Sequence, residues 1–158
     1  MSRAKGSLAL EHDTSPLRRA VEYACRSEFY REKFQEAGIS PNEIVQPEDL
    51  AALPFTTKDE LRSFYPLKVK LPPEEEIVRI HSSSGTTGQP VLIPYTRRDL
   101  DIWTEMMVRC YKMAGMTVRD RVQITPGYGL WTAGIGFQAG VEALGAMAIP
   151  TGPGNTQR

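Results

Sequence analysis

Apolar positions recur at helical spacing through the first third of the chain. Ser15-Pro16 reads as a helix start, with Leu17, Ala20, Val21 and Ala24 on one face. A second helix is predicted from Ser27, turning Tyr30, Phe34 and Ala37 inward and stopping at Gly38. Residues 39–53 are irregular, with one turn around Glu48 to Ala51; Thr57 and Glu60 then form a capping box ahead of Leu61 and Phe64. Pro66 to Pro73 reads as an extended connection, and Glu74-Glu75-Glu76 as a solvated turn.

Beyond that turn the period changes from helical to extended. Ile77-Val78-Arg79-Ile80 and Val91-Leu92-Ile93 read as strands, the second ended by Pro94. Thr96 and Asp99 form another capping box, after which Leu100, Trp103, Met106, Met107, Cys110 and Met113 define a packing stripe closed by Gly115. Val122-Gln123-Ile124, a helix from Leu130 or Trp131 to Leu144, and Ala146 to Ile149 make a strand, helix, strand unit, hence a parallel crossover. Gly134, Gly136 and Gly140 weaken that helix by about 1 kcal/mol each relative to Ala. Close packing or ligand approach would explain them. The predicted class is α/β: a mobile arm (1–13), an N-terminal helical lobe (14–73), then part of an α/β sheet (74–158) that is incomplete at its C-terminal end.

Composition narrows the function classes. The 158 residues are 41% hydrophobic and 24% charged, the balance of a globular chain. Nineteen basic residues offset nineteen acidic ones without long runs of either sign, so neither nucleic acid nor an anionic membrane is an expected partner. No segment approaches the ~20 apolar residues that a membrane span requires, and a cytoplasmic location is expected. Cys25 and Cys110 are too few for a disulfide framework and fall at apolar helix positions, where reduced core thiols are expected.

The candidate chemistry lies between the two strands, in Ser82-Ser83-Ser84-Gly85-Thr86-Thr87-Gly88-Gln89-Pro90. Glycines let backbone approach a ligand closely, so successive N–H groups can converge on one anion, and hydroxyls add further donors. By composition alone such a cluster reads first as a solvated loop, and it is the order of its residues that points to a ligand. It is not a Walker loop, because no lysine follows Gly88 and no helix begins there. A hairpin tip would carry the anion. His81, just before the loop, reads as a strand-end residue and His12 carries no role.

Ser-Ser-Gly-Thr-Thr-Gly-x-Pro resembles the phosphate loop of the adenylate-forming enzymes. With Phe29-Tyr30-Arg31, Ala37-Gly38, Leu53-Pro54-Phe55-Thr56-Thr57-Lys58, Tyr65-Pro66, Arg79-Ile80-His81, Tyr95-Thr96 and Gly127-Tyr128-Gly129-Leu130, the chain from Ser15 onward resembles the N-terminal part of the phenylacetate-CoA ligase family, whose members are much longer. The resemblance implies ATP-dependent ligation of phenylacetate or a similar aryl acid to coenzyme A through an acyl adenylate. Expected ligands are ATP, Mg²⁺, the acid and coenzyme A, with a homodimer as the assembly. It assigns phosphate contact to Ser83, Ser84, Gly85, Thr86, Thr87 and Gly88, and an aryl pocket to Tyr128, Gly129 and Trp131, although Tyr128 and Trp131 serve equally to pack helix on sheet.

The catalytic lysine, the metal-supporting acid, the ribose aspartate and the hinge would all lie downstream, leaving no catalytic or metal residue here and an inactive fragment. Two departures from the family pattern stand out. Gln89 and Val91 flank the loop proline where relatives carry a lysine on one side or the other, and Pro126 replaces an aromatic residue. Two other functions fit the same residues: adenylation of a deazaflavin, as in coenzyme F390 synthetases, or a non-catalytic nucleotide-binding module.

Overall fold

The computed structural model describes residues 15–83 and 88–154. The chain divides into two compact units, with the division between Thr57 and Lys58. In the first, α1 (Ser15–Ala24) and α2 (Glu28–Glu36) are followed by 3₁₀ turns at Pro41–Glu43 and Pro47–Ala52. Val21, Phe34 and Ile44 form its core, with Leu17, Cys25, Tyr30, Ile39 and Leu53 against it. Gly38, at φ 67°, closes α2: its N–H donates to the Gln35 carbonyl and that of Ile39 to Phe34. Ala20 and Ala37, expected inside, are exposed, and Phe29 is buried in their stead. Partial burial pushes the Cys25 thiol up, which makes it a poorer nucleophile.

The second unit opens with α3 (Lys58–Ser63). Residues 64–69 are coiled into turns, so the first part of the connection expected to be extended (Pro66 to Pro73) is not, with Lys68 N–H donating to the Phe64 carbonyl and Lys70 N–H to Leu67. A 3₁₀ turn at Glu74–Glu76 leads into β1 (Ile77–Ser82), which pairs antiparallel with β2 (Leu92–Thr96). The pairing sets His81 opposite Ile93 and Ser82 opposite Leu92, with a register shift between Ile77 and Arg79. Pro94 does not end β2. It sits opposite Ile80 in a two-stranded sheet, where a missing N–H is tolerated on the open side.

Thr96 caps α4 (Arg97–Met113) as its capping box predicts: Thr96 Oγ1 accepts from Asp99 N–H, and Asp99 Oδ2 accepts from Thr96 N–H at 2.8 Å. The crossover follows as β3 (Arg121–Gln123), α5 (Ala133–Leu144) and β4 (Met147–Ile149), with β3 and β4 parallel and Val122 opposite Ala148. No helix among the described residues is long and apolar enough to cross a membrane.

The packing of α5 on α4 accounts for its glycines. A Cβ on Gly136 would lie 2.5 Å from Trp103 Cζ2, and one on Gly140 would lie 2.5 Å from Met107 Cβ. The packed face of α4 is therefore the buried Leu100 with the half-buried Trp103, Met107 and Tyr111; Met106, Cys110 and Met113 are exposed, contrary to the predicted stripe. Tyr111 completes the contact by donating its hydroxyl to the Phe137 carbonyl at 3.1 Å.

Two stability measurements check this account. Helix propensity alone would make Gly136→Ala stabilising by about 1 kcal/mol, whereas overpacking costs about 1–3 kcal/mol. We expect the steric effect to win and chemical denaturation to report net destabilisation; a more stable variant would contradict the packing described. Thr96→Ala is expected to cost about 1 kcal/mol through loss of the cap, with an unchanged midpoint as the contrary result.

Candidate functional site

The hairpin of β1 and β2 brings Ser83 and Val91 together at the neck of the hydroxyl loop. Ser83 N–H donates to the Val91 carbonyl at 2.9 Å, and Val91 N–H returns a bond to Ser83 Oγ at 3.0 Å. Ser83 thus serves the neck first; its hydroxyl accepts there and keeps its own proton to donate. Gly88, at φ 129°, occupies backbone space that favours glycine. Ser84, Gly85, Thr86 and Thr87 lie outside the described residues.

The segment after β3 reaches the same neck. The Leu130 carbonyl accepts Ser82 N–H at 2.9 Å and His81 Nδ1 at 2.9 Å. A carbonyl can only accept, so the proton of that second bond sits on Nδ1. His81 is 2% exposed, with its ring edge-on to Tyr95 and to Trp103, each at a centroid distance of 5.4 Å. Its Nε2 is buried with no partner among the described residues. The histidine is a strand-end residue, as expected, but one built into the wall between hairpin and helix.

Tyr128, Gly129 and Trp131 flank that Leu130 carbonyl in the segment that follows β3, on the side where open α/β sheets carry their ligands. Both side chains stand partly open in the described unit: Tyr128 is 40% and Trp131 54% exposed. Desolvation and the Glu142 carboxylate hold the Tyr128 phenol above its ordinary range. Gly134 in the first turn of α5 admits the Gly127 carbonyl, which would lie 2.6 Å from any Cβ there.

Two contributors had no signal in the sequence. One is the Leu130 carbonyl, a backbone group. The other is Arg62 on α3, whose Nε donates to the Gln89 carbonyl at 3.0 Å from 27 residues away. Among the described residues no group of three or more His, Cys, Asp or Glu side chains could hold a metal ion.

The chain and its fold have known counterparts. The chain is 38% identical over 159 residues to the phenylacetate-coenzyme A ligase of Pseudomonas putida, matching all of this chain and 36% of that protein. It is 43% identical over 129 residues to the Escherichia coli K12 enzyme of the same name, matching 82% of this chain and 30% of that one. It is similar in structure to 2-hydroxyisobutyryl-CoA ligase in complex with 2-HIB-AMP and CoA in the thioesterification state, with a TM-score of 0.80 and 31% identity over 90% of this chain and 31% of that one. An open conformation of that ligase with 2-HIB-AMP and CoA gives a TM-score of 0.80 at 29% identity. No protein-family profile matches the chain. The chain spans about a third of the length of the curated relatives it matches. Motif, hairpin, crossover and likeness along the whole chain agree: the chain belongs to the phenylacetate-CoA ligase family of adenylate-forming enzymes.

Proposed function

We propose that this chain supplies the phosphate grip and part of the acyl pocket of an ATP-dependent ligase joining phenylacetate, or a similar aryl acid, to coenzyme A. The observation that carries the reading is the Leu130 carbonyl, which joins the neck of the hydroxyl loop to the segment bearing Tyr128 and Trp131. In the first half-reaction a carboxylate oxygen attacks the α-phosphorus of ATP, the bond to the bridging oxygen breaks, and pyrophosphate leaves with the electron pair. In the second, the thiol of coenzyme A attacks the acyl carbon, AMP departs and the thiol proton is released.

Each of the chain's groups has a part in the first step. Backbone and hydroxyl donors of Ser83, Ser84, Gly85, Thr86, Thr87 and Gly88 hold the β- and γ-phosphates and stabilise charge as pyrophosphate forms. The two reciprocal bonds between Ser83 and Val91 hold the two sides of the hairpin together at the loop's neck. Tyr128, Gly129 and Trp131 give the acid an aromatic wall, gaining burial and ring stacking from a flat substrate. The neighbouring acyl-CoA ligase structures, with 2-HIB-AMP and CoA bound, support adenylate and thioester chemistry for this fold.

The test uses a polypeptide carrying this sequence at the full length of its relatives. With ATP, coenzyme A and phenylacetate, it should yield AMP and a thioester; a stable adenylated deazaflavin without thioester would support the F390-type alternative. Gly85→Val is expected to lower acid-dependent ATP–pyrophosphate exchange by roughly a hundredfold or more, with the Tm unchanged. Near-parental exchange would remove the loop from the reaction. The 158 residues alone should form no thioester, and measurable product from them would refute the dependence on the remaining two thirds of the relatives' length.

A further inference from the structure

We propose that His81 is a positioning residue for the acid: its Nδ1–H aims the peptide from which Trp131 departs, and so sets where the aromatic wall stands. This rests on the reading of Tyr128, Gly129 and Trp131 as that wall. The segment has little else to hold it. Residues 124–132 belong to no helix or strand. Among the described residues, the only hydrogen bonds of residues 125–131 are the two that the Leu130 carbonyl accepts. The Trp131 side chain, more than half exposed, is not fixed by burial.

A single donor leaves a carbonyl free to swing about that bond, because acceptor geometry at the oxygen is broad; a second donor fixes its direction. Ser82 N–H, placed by β1, supplies the first at 2.9 Å, and His81 Nδ1–H supplies the second, also at 2.9 Å. The peptide unit is planar, so the direction of the Leu130 carbonyl sets the plane of the Trp131 N–H and the point from which the Trp131 Cα leaves. The imidazole that does this is itself held. His81 lies on β1 opposite Ile93, and its ring stands edge-on to Tyr95 at 81° and to Trp103 at 74°. The hairpin is anchored without it, by its ladder and by the bonds between Ser83 and Val91. Loss of the His81 donor therefore releases the segment after β3 and leaves the hairpin in place, so the effect falls on the acid and not on ATP.

The test compares His81→Leu with His81→Asn in the full-length polypeptide. The two side chains are alike in size, but the amide nitrogen of Asn stands two bonds from Cβ, as Nδ1 does, and can donate in its place. His81→Leu is expected to raise the KM for phenylacetate roughly threefold to tenfold, with the KM for ATP within about twofold, and His81→Asn to recover most of that loss. In a Trp131→Ala background the same His81→Leu change should add less than about twofold, because its route through the indole is gone. Equal rises in both KM values, equal behaviour of the Leu and Asn variants, or the full His81→Leu effect in the absence of the indole each overturn the proposal. Should the parent catalyse no exchange with any acid, the ligase reading fails, and NMR of the Trp131 indole N–H, assigned with Trp131→Phe, still decides on His81. A resonance displaced in His81→Leu and restored in His81→Asn supports the proposal; one that His81→Leu leaves in place, or moves no further than His81→Asn does, overturns it. If His81→Leu does not fold, His81→Phe, which keeps a ring against Tyr95 and Trp103 but has no donor, takes its place.

Discussion

One backbone oxygen holds the second unit's site together. The Leu130 carbonyl takes two donors, Ser82 N–H and His81 Nδ1, both from buried residues at the end of β1. A buried donor left without a partner costs about 1–3 kcal/mol, so displacement of Leu130 would strand two at once. The neck of the hydroxyl loop and the segment Gly127–Trp131 are therefore fixed to one another more firmly than two surface loops would be. Exposed rings on either side of Leu130 can face a ligand because its main chain, not their packing, sets where they stand.

That oxygen is itself located by a closed circuit of contacts. From Leu130 the chain enters α5, where Gly136 accepts the Trp103 ring; Trp103 meets His81 edge-on; and His81 returns to Leu130. Tyr95 on β2 closes the side of the circuit, at 5.5 Å from Trp103 and 5.4 Å from His81. Gly134 lies between, letting the Gly127 carbonyl approach where any side chain would push it away. The glycines that weaken α5 as a helix are the positions at which it touches the indole of α4 and the loop that bears the site. Local propensity is given up where contact requires it.

Much of this was legible because it is local. Thr96 with Asp99, and Gly38 and Gly115 at positive φ, are cap signals whose partners sit within a few residues, and each ended or began a helix where read. The parallel crossover followed from length and period alone. The misreadings share the opposite cause. Pro94 was read as a stop because the sequence does not tell whether a strand's N–H side faces a neighbour. Met106, Cys110 and Met113 extended a stripe on α4 whose true axis, through Trp103, Met107 and Tyr111, is set by where α5 lies. The Arg62 to Gln89 bond and the Leu130 carbonyl join distant segments, each through a backbone carbonyl, a group every residue possesses. In the site, the hydroxyl loop was legible as composition and order, but not what fastens it.

The demands of adenylation give that fastening its meaning on the proposed reading. The reaction joins two ligand parts held by different pieces of chain, the phosphates by the hairpin tip and the carboxylate by the segment after β3. Bond formation needs the attacking oxygen about 3–3.5 Å from phosphorus and in line, and alignment of that kind accounts for about 7–11 kcal/mol of a barrier in favourable cases. Two grips free to drift relative to each other would forfeit much of it, however tightly each held its ligand. A carbonyl that both pieces share converts two binding sites into one reaction geometry. His81 then has a role without serving as a base: the substrate carboxylate is already ionised, and the ring's contribution is to hold Leu130 where the two halves of the substrate meet.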